Sequence, residues 1–175
     1  MELQNAIELI RNSNIQSSEK TIWADLGCGS GLFTNALAHL LSMNSKIYAI
    51  DTNASQLNKI KEPKNITIEK IHADFINDEL HVQKLDGILM ANSLHFVENK
   101  PVFINKISTL LKPGGCFLIV EYNTDKANTW VPFPVSFTSL KILFSQAGYF
   151  SVEQIHEMPS SYNHAHIYAA VIKKK

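Results

Sequence analysis

A glycine-rich segment near the N-terminus is the part of the sequence best suited to hold a ligand. Residues Asp25–Gly31 read DLGCGSG and lie between a short β-rich run and a run with a helical apolar period. Glycines at such a turn let the backbone approach a ligand closely, and an open parallel sheet binds ligands beyond the carboxyl ends of its strands. Asp51 follows Gly31 by twenty residues, at the predicted end of the next strand. Its carboxylate could accept hydrogen bonds from both hydroxyls of a ribose, which indicates a nucleoside-containing ligand.

The glycine spacing distinguishes two kinds of nucleoside. The dinucleotide fingerprint Gly-x-Gly-x-x-Gly places a pyrophosphate at a helix N-terminus, but here the third glycine comes one residue early and Asp25 precedes the loop. A carboxylate there would repel a pyrophosphate, whereas it suits an ammonium or sulfonium charge. The pattern favours S-adenosylmethionine over NAD. Ser108, Tyr122 and Lys126 mimic the catalytic set of short-chain dehydrogenases, but that set needs Tyr and Lys on one helical turn, and Tyr122 is predicted to end a strand.

The sequence resembles the class I S-adenosylmethionine-dependent methyltransferases over nearly its whole length. Residues 25–31 look like the first motif of that family, and Leu111–Gly115 (LKPGG) looks like its turn before the fifth strand. The resemblance implies that S-adenosylmethionine is the cofactor and that a methyl group is transferred to an acceptor. The cofactor-binding residues that it implies are Asp25, Gly27, Cys28, Gly29, Gly31, Asp51, Thr52, Asp74, Phe75 and Asn92.

The resemblance also implies a role for each of the polar positions. Asp25 would lie near the amino group of the methionine part, and Asp51 would hold the ribose. Asp74 would contact the adenine amino group, with Phe75 beside the ring, and the backbone of Asn92 would lie against the methionine end. Structural alternatives stay open, because Asp25 could cap a turn, Asp51 could form an Asx turn and Asp74 could be an ordinary loop residue.

The acceptor side contains one ionisable group that could act as a base. His95 follows the predicted fourth strand, and an imidazole pKa near 6.5 suits a general base at neutral pH. A base is needed only when the acceptor must lose a proton, and His95 could instead cap a helix or pack below the site. Tyr122, Asn123 and Trp130 follow the fifth strand and are predicted to bind the acceptor, with plain packing as the alternative.

Several acceptor classes are excluded by the residues after the fourth strand. Asn92-Ser-Leu-His95 differs from the Asn/Asp-Pro-Pro-aromatic motif of the DNA-base and glutamine amino methylases, and it has no aspartate for magnesium. The segment 1–20 leaves room for one lid helix and a linker. We therefore expect a small-molecule acceptor. A protein or RNA methyltransferase and a non-catalytic S-adenosylmethionine-binding protein remain as alternatives.

Composition and charge further narrow the classes of partner that we expect. Lys plus Arg and Asp plus Glu both number 16, and Arg11 is the sole arginine. This balance disfavours nucleic acid and favours an acceptor that is small and uncharged or weakly charged. Two cysteines and the lone His164-x-His166 pair supply too few ligands, so we expect no metal site. No apolar run reaches membrane-helix length and no secretory signal is evident, so we expect a cytoplasmic monomer or homodimer.

The hydrophobic pattern predicts the elements that must position these residues. β-rich runs alternate with helical periods in five βα units, and two final strands without a helix between them form an antiparallel hairpin. The predicted fold is α/β, a Rossmann-like, doubly wound, mostly parallel seven-stranded sheet in one domain over residues 1–175. The predicted strands are 21–26, 46–50, 66–71, 85–90, 116–120, 150–156 and 165–172, and the predicted helices are 2–12, 32–41, 53–61, 101–111 and 137–147.

Overall fold

Seven strands form one mixed sheet in the computed structural model, which describes residues 1–15, 18–160 and 166–174. The order across the sheet is β3-β2-β1-β4-β5-β7-β6. Neighbours among β1 to β5 are parallel, while β7 is antiparallel to both β5 and β6. The predicted α/β, Rossmann-like architecture with a C-terminal hairpin is thus confirmed. The strands are β1 (Ile22–Leu26), β2 (Lys46–Asp51), β3 (Thr67–His72), β4 (Leu85–Ala91), β5 (Leu111–Tyr122), β6 (Ser151–Pro159) and β7 (His166–Lys173).

The helices depart from the prediction in two connections, because the helix predicted over 53–61 is only four residues long and one βα unit lacks its helix. The segment 73–84 between β3 and β4 contains no helix. The prediction of five βα units was therefore too high by one. The reason is local, because the Asp74 carboxylate accepts the N–H groups of Ile76 and Asn77 and so holds a turn there. The helices within the described ranges are α1 (Leu3–Ile10), α2 (Leu32–Leu40), α3 (Ala54–Leu57), α4 (Lys100–Ser108) and α5 (Phe137–Gln146), with a short 3₁₀ turn at Leu94–Phe96.

The predicted turn at 112–115 lies inside β5. Leu85 pairs with Leu111 and Gly87 pairs with Cys116, so the residues between Leu111 and Cys116 form an irregularity in the β4–β5 ladder. Gly114 adopts φ 80° there, a conformation that glycine reaches without strain. The turn chemistry was read correctly, but the strand continues on both sides of it.

Both faces of the sheet are covered. One core cluster packs α1 and α2 on one face and the other packs α4 and α5 on the opposite face, which explains why the central strands are almost continuously apolar. In α1, Ala6, Leu9 and Ile10 are fully buried. The helix predicted as a lid is therefore anchored to the core along one side. No helix in the described ranges has the length and apolar character to cross a membrane.

The crevice for a ligand lies between β1 and β4. These strands are neighbours in the sheet, but the chain leaves β1 toward β2 and leaves β4 toward β5, so their carboxyl ends diverge. The two strands approach closely at Trp23, which pairs with Gly87. A Cβ atom on Gly87 would overlap the Trp23 ring.

Gly87→Ala should therefore destabilise the protein by about 1–3 kcal/mol through overpacking. Denaturant titration followed by circular dichroism measures this loss. In a Trp23→Leu background the same substitution should cost less, because the ring that meets the new methyl group is gone. An equal loss in both backgrounds would show that the contact with Trp23 is not the cause.

Candidate functional site

The glycine loop curls over the end of β2. Gly27, Gly29 and Gly31 have φ angles of 77°, 52° and 86°, in the left-handed region that favours glycine. The N–H groups of Gly27 and Cys28 donate to the carbonyl oxygen of Ile50 at 2.8 and 3.2 Å. A Cβ atom on Gly29 would meet no atom within 4 Å. The loop is held from below and leaves open space above Gly29.

Asp51 connects this loop to the start of α3. Its Oδ2 accepts the N–H of Gly29 at 2.8 Å and its Oδ1 accepts the N–H of Asn53 at 2.8 Å. The neighbouring Thr52 is exposed, and its carbonyl oxygen lies 2.8 Å from Nε2 of His72. Each carboxylate oxygen has a second lone pair, so Asp51 can hold the loop and still accept hydrogen bonds from a ligand.

Asp25 is buried, with 1% of its surface exposed. The Thr34 hydroxyl donates to Oδ2 at 2.6 Å, while Oδ1 is buried without a hydrogen-bond partner among the described residues. Burial raises the pKa of Asp25 to about 7, although the Thr34 hydrogen bond opposes the rise and the charge of Asp51 adds to it. The site therefore contains a carboxyl group that is costly to ionise unless a cation or a further donor is supplied.

The end of β4 lies against the end of β1. Asn92 has φ 52°, which is uncommon for a residue other than glycine, and its N–H donates to the Val120 carbonyl at 2.8 Å. The Ser93 hydroxyl donates to the Leu26 carbonyl at 2.6 Å. A Cβ atom on Gly27 would lie 2.6 Å from the Ser93 Cβ. This close approach explains why the loop requires glycine at position 27.

Two orphaned oxygens mark the crevice. Within the described ranges, Oδ1 of Asp25 and Oδ1 of Asn92 are the buried side-chain oxygen or nitrogen atoms that lack a hydrogen-bond partner. Both belong to the facing ends of β1 and β4, and both are acceptors when Asp25 is ionised. Because buried polar groups are normally satisfied, the arrangement fits a ligand that brings hydrogen-bond donors into the crevice.

Asp74 and Phe75 follow β3 and lie beside the loop. The Asp74 carboxylate accepts hydrogen bonds from the Ile76 N–H, the Asn77 N–H and the Asn77 side chain. Burial alone would raise the pKa of Asp74, but these hydrogen bonds lower it below its usual value. Phe75 is buried, and its ring packs on Phe103 with centroids 5.8 Å apart. The Asp74 carboxylate is thus already hydrogen-bonded within its own turn, and its predicted contact with adenine stays a prediction.

His95 is paired with an acid that sequence reasoning missed. Nδ1 of the His95 ring lies 2.7 Å from Oε2 of Glu121, and the backbone N–H of His95 donates to Oε1 of Glu121 at 3.1 Å. The side chains of His95 and Glu121 are 4% and 1% exposed. Glu121 follows the apolar run of β5 near the end of that strand. A single acidic residue at the end of an apolar strand is the sequence signal that could have identified it. The pair fixes the turn after β4 to the end of β5.

The loop after β5 is attached to the same turn. Lys100 Nζ donates to the carbonyl oxygens of Val97 and Phe133 at 2.9 and 2.6 Å, and the Phe133 N–H donates to the His95 carbonyl at 3.0 Å. Burial lowers the pKa of Lys100, although the charge of Glu121 opposes this. Trp130 in this loop is 82% exposed. The loop is well anchored, but its tryptophan faces solvent.

A cleft opens beside the glycine loop on the face covered by α1. Of the four residues predicted to bind the acceptor, Tyr122 lines this cleft, while His95, Asn123 and Trp130 do not. Asn123 instead bonds Glu157 and the N–H of Phe137. Sequence reasoning assigned no role to most of the lining, which comprises Met1, Asn5, Leu32, Phe33, Asn92, Tyr122, Met158, Pro159, Ser160 and Ile167.

The structure also bears on the dehydrogenase-like residues and on the His-x-His pair. Tyr122 ends β5, and the residues up to the start of α5 form no helix, so the dehydrogenase arrangement of Tyr122 and Lys126 is absent. His166 lies with Nδ1 3.5 Å from Oε1 of Glu157, and His164 lies outside the described residues. No group of three His, Cys, Asp or Glu side chains suited to a metal ion occurs in the part of the chain that the structure describes.

Comparisons with known proteins agree with this geometry. The sequence profile of a methyltransferase domain matches residues 17–165. An uncharacterized methyltransferase of Mycobacterium tuberculosis is 29% identical over 101 residues, which cover 57% of this chain and 50% of that protein. A demethylmenaquinone methyltransferase of Geobacillus is 23% identical over 118 residues, or 65% of this chain and 50% of that protein. The chain thus spans about half the length of these curated relatives.

A solved structure shares the fold over almost the whole chain. The Burkholderia thailandensis 1,6-didemethyltoxoflavin-N1-methyltransferase, solved with bound 1,6-didemethyltoxoflavin and S-adenosylhomocysteine, superposes with a TM-score of 0.72. The match covers 99% of this chain and 78% of that protein at 17% sequence identity. At this identity the match establishes a common fold.

Asp25→Asn should stabilise the protein at alkaline pH. Because the pKa of Asp25 is raised in the folded state, folded protein holds a proton that unfolded protein has lost between about pH 4 and 7, and stability falls as pH rises through this window. The neutral amide removes this loss. We expect the Tm of the variant to exceed that of the parent by roughly 10 °C near pH 8 and to match it near pH 4.

Differential scanning calorimetry across this pH range tests the prediction. Glu62→Gln is the control, because it removes a carboxylate that is 62% exposed. An Asp25→Asn variant that is equally destabilised at every pH would contradict the proposed cost of ionising Asp25.

Proposed function

The chain belongs to the methyltransferase-domain family, and on this premise we propose that it transfers a methyl group from S-adenosylmethionine to a small-molecule acceptor. The observation that carries the proposal is the pair of orphaned oxygens on Asp25 and Asn92 at the crevice between β1 and β4. S-adenosylmethionine carries an α-ammonium group, whose N–H donors and positive charge are what these two acceptors lack.

The remaining residues of the crevice also fit this cofactor. Gly29 leaves space for the methionine part, and the spare lone pairs of Asp51 suit the two hydroxyls of a ribose. We propose that Gly27, Cys28 and Gly31 shape the loop and that Thr52 and Phe75 flank the nucleoside. Asp74 keeps its proposed contact with the adenine amino group, for which its Oδ2, occupied by one described donor, retains an acceptor position.

The protein's part in the reaction is alignment and exclusion of water. When bound, S-adenosylmethionine supplies a methyl group that its sulfonium charge has already activated. Holding an acceptor in line with that methyl group can supply several kcal/mol of the rate enhancement. Leu32, Phe33 and Ile167 line the cleft with apolar side chains, which bind water poorly.

For acceptors that must lose a proton, we keep His95 as the proposed base. Glu121 holds the Nδ1 edge of its ring, an arrangement that fixes the imidazole orientation. Nε2 is the atom that would take the proton. In the described structure the ring is buried outside the cleft, so this role requires the turn at Leu94–Phe96 to move.

Two observations support a small acceptor over a macromolecule. The formal net charge is zero, with a single arginine, so a nucleic-acid substrate gains little electrostatic attraction. Two methyltransferases similar to this chain are named for small molecules, demethylmenaquinone and 1,6-didemethyltoxoflavin. A cytoplasmic location and a monomeric or homodimeric state belong to the same proposal.

Asp51→Ala should weaken binding of S-adenosylhomocysteine by about tenfold or more, because hydrogen bonds to a carboxylate are lost. Isothermal titration calorimetry measures the change. Glu62→Ala, which removes an exposed carboxylate beyond α3, should leave the affinity unchanged. Equal affinity in the Asp51→Ala variant would rule out the ribose role.

The function itself is tested with S-adenosylmethionine labelled on its methyl group. We expect label to pass to the small-metabolite fraction of a cell extract and not to its protein or RNA fractions. Label in the protein or RNA fraction would show that the acceptor is a macromolecule. Absence of label from every fraction would favour a non-catalytic S-adenosylmethionine-binding protein. A thermal shift with NADH and none with S-adenosylhomocysteine would overturn the proposed cofactor.

A further inference from the structure

A row of lysines lies along the edge of the sheet that is opposite to the glycine loop. At this edge β1, β2, β4 and β5 begin and β7 ends, and these five strands are neighbours in the order β2-β1-β4-β5-β7. Neighbouring strands lie about 4.8 Å apart, so side chains at these strand ends form a continuous row. Each of the five strands has a lysine within two residues of that end, and we call this row the basic edge: Lys46, Lys20, Lys84, Lys112 and Lys173, with Lys174 directly after Lys173.

Acids neutralise only part of the basic edge. Lys46 Nζ lies 2.7 Å from Oε2 of Glu69, and Lys112 pairs with Asp86. Glu19, next to Lys20 in the sequence, is a further acid there. The exposed lysines of the edge that form no salt bridge within the described ranges are Lys20, Lys84 and Lys174.

Acids are concentrated at the other edge of the sheet. Asp51 and Glu121 lie at or near the carboxyl ends of β2 and β5, and Asp74 follows β3. The formal net charge of zero therefore conceals a separation of charge along the strands. A protein with this distribution turns its basic edge toward an anionic surface.

An exposed aromatic side chain lies beside the lysines. Phe150 is 72% exposed and precedes Ser151, which pairs with Lys173 at the end of β7. The neighbouring Tyr149 is buried, and Lys174 Nζ lies 5.1 Å from the centroid of its ring. A phenylalanine gains free energy when it leaves water. A surface of phosphates alone offers no such environment, whereas the boundary between lipid headgroups and acyl chains does.

We propose that the basic edge docks on the surface of an anionic lipid membrane. The lysines lie among the lipid phosphates, and the ring of Phe150 enters the boundary between headgroups and acyl chains. Such a peripheral contact needs no membrane-spanning helix. The crevice between β1 and β4 lies at the opposite edge of the sheet and stays open to solution, so this proposal does not depend on the proposed methyltransferase function.

Co-sedimentation of the full chain with sucrose-loaded vesicles tests the docking. We expect vesicles of phosphatidylcholine with about 30% phosphatidylglycerol to bind the protein about tenfold or more tightly than phosphatidylcholine alone. Added salt should weaken this binding, because the lysines are exposed. Equal binding to both vesicles, binding to neither, or tighter binding to duplex RNA than to the anionic vesicles at the same salt would overturn the proposal.

Two double variants locate the charge that binds. Lys84→Gln with Lys174→Gln should weaken binding to the anionic vesicles about tenfold or more, because each lysine near such a surface contributes roughly fivefold. Lys126→Gln with Lys141→Gln removes the same charge from exposed positions in the loop after β5 and on α5, and should leave binding within about twofold. Equal losses in the two variants would show that net charge, and not the basic edge, controls binding.

The aromatic contact has its own matched pair of variants. Phe150→Ser should weaken binding to the anionic vesicles about threefold or more. Ile142→Ser, at a position on α5 that is 56% exposed, should not change it. Circular dichroism melting checks that both variants fold. Unchanged binding of a folded Phe150→Ser variant would contradict the entry of this ring into the lipid.

Calorimetry with S-adenosylhomocysteine separates this proposal from the proposed function. We expect equal affinity with and without anionic vesicles, because the crevice faces away from the membrane. Loss of S-adenosylhomocysteine binding on addition of vesicles would show that the crevice edge is the one that docks, and would overturn the placement. Vesicle binding by a chain that never binds S-adenosylhomocysteine would support the docking and overturn the proposed function.

Discussion

The burial of Asp25 with one oxygen unsatisfied is the constraint on which the rest of the site depends. Thr34 donates to one oxygen, the other has no partner in the described part of the chain, and the pKa rises to about 7. Such a group lowers the stability of the folded chain when it ionises. It is useful only where a bound cation or donor can offset this loss. Asp25 stands at the switch point of the sheet, where the proposed cofactor would bring an ammonium group.

The close contact between β1 and β4 supports this arrangement. The Ser93 hydroxyl reaches the Leu26 carbonyl, and the absence of a Cβ atom on Gly27 lets the two strand ends approach. Asn92 is held with φ 52° by the hydrogen bond from its N–H to Val120. A residue held in an uncommon backbone conformation at a crevice is a recognised sign of function. The fold therefore fixes the backbone positions that carry both orphaned oxygens.

Local signals were sufficient to predict that the glycine loop and Asp51 lie together, and insufficient to predict the cleft beside them. The motif at 25–31 and Asp51 are close in sequence and follow consecutive strands, so periodicity alone placed them at one edge of the sheet. The cleft combines the N-terminal helix with a hairpin more than a hundred residues later. Such a contact depends on strand order, which the sequence pattern does not determine. The same reason explains the missed Glu121, whose partner His95 lies on a different strand end.

The proposed cofactor crevice contains the acid Asp25, whereas the cleft beside it has apolar walls. This difference has a physical consequence for the proposed reaction. Interactions accelerate a reaction only where they favour the transition state over the bound reactants. The ammonium keeps its charge during methyl transfer, so an acid such as Asp25 can hold it without opposing the reaction. A carboxylate beside the reacting centre would instead stabilise the localised sulfonium of the reactant. When a neutral acceptor reacts, positive charge spreads over both partners in the transition state, and an apolar cleft penalises spread charge less than localised charge. The apolar side chains of Phe33 and Ile167 in the cleft are therefore consistent with rate enhancement in the proposed reaction.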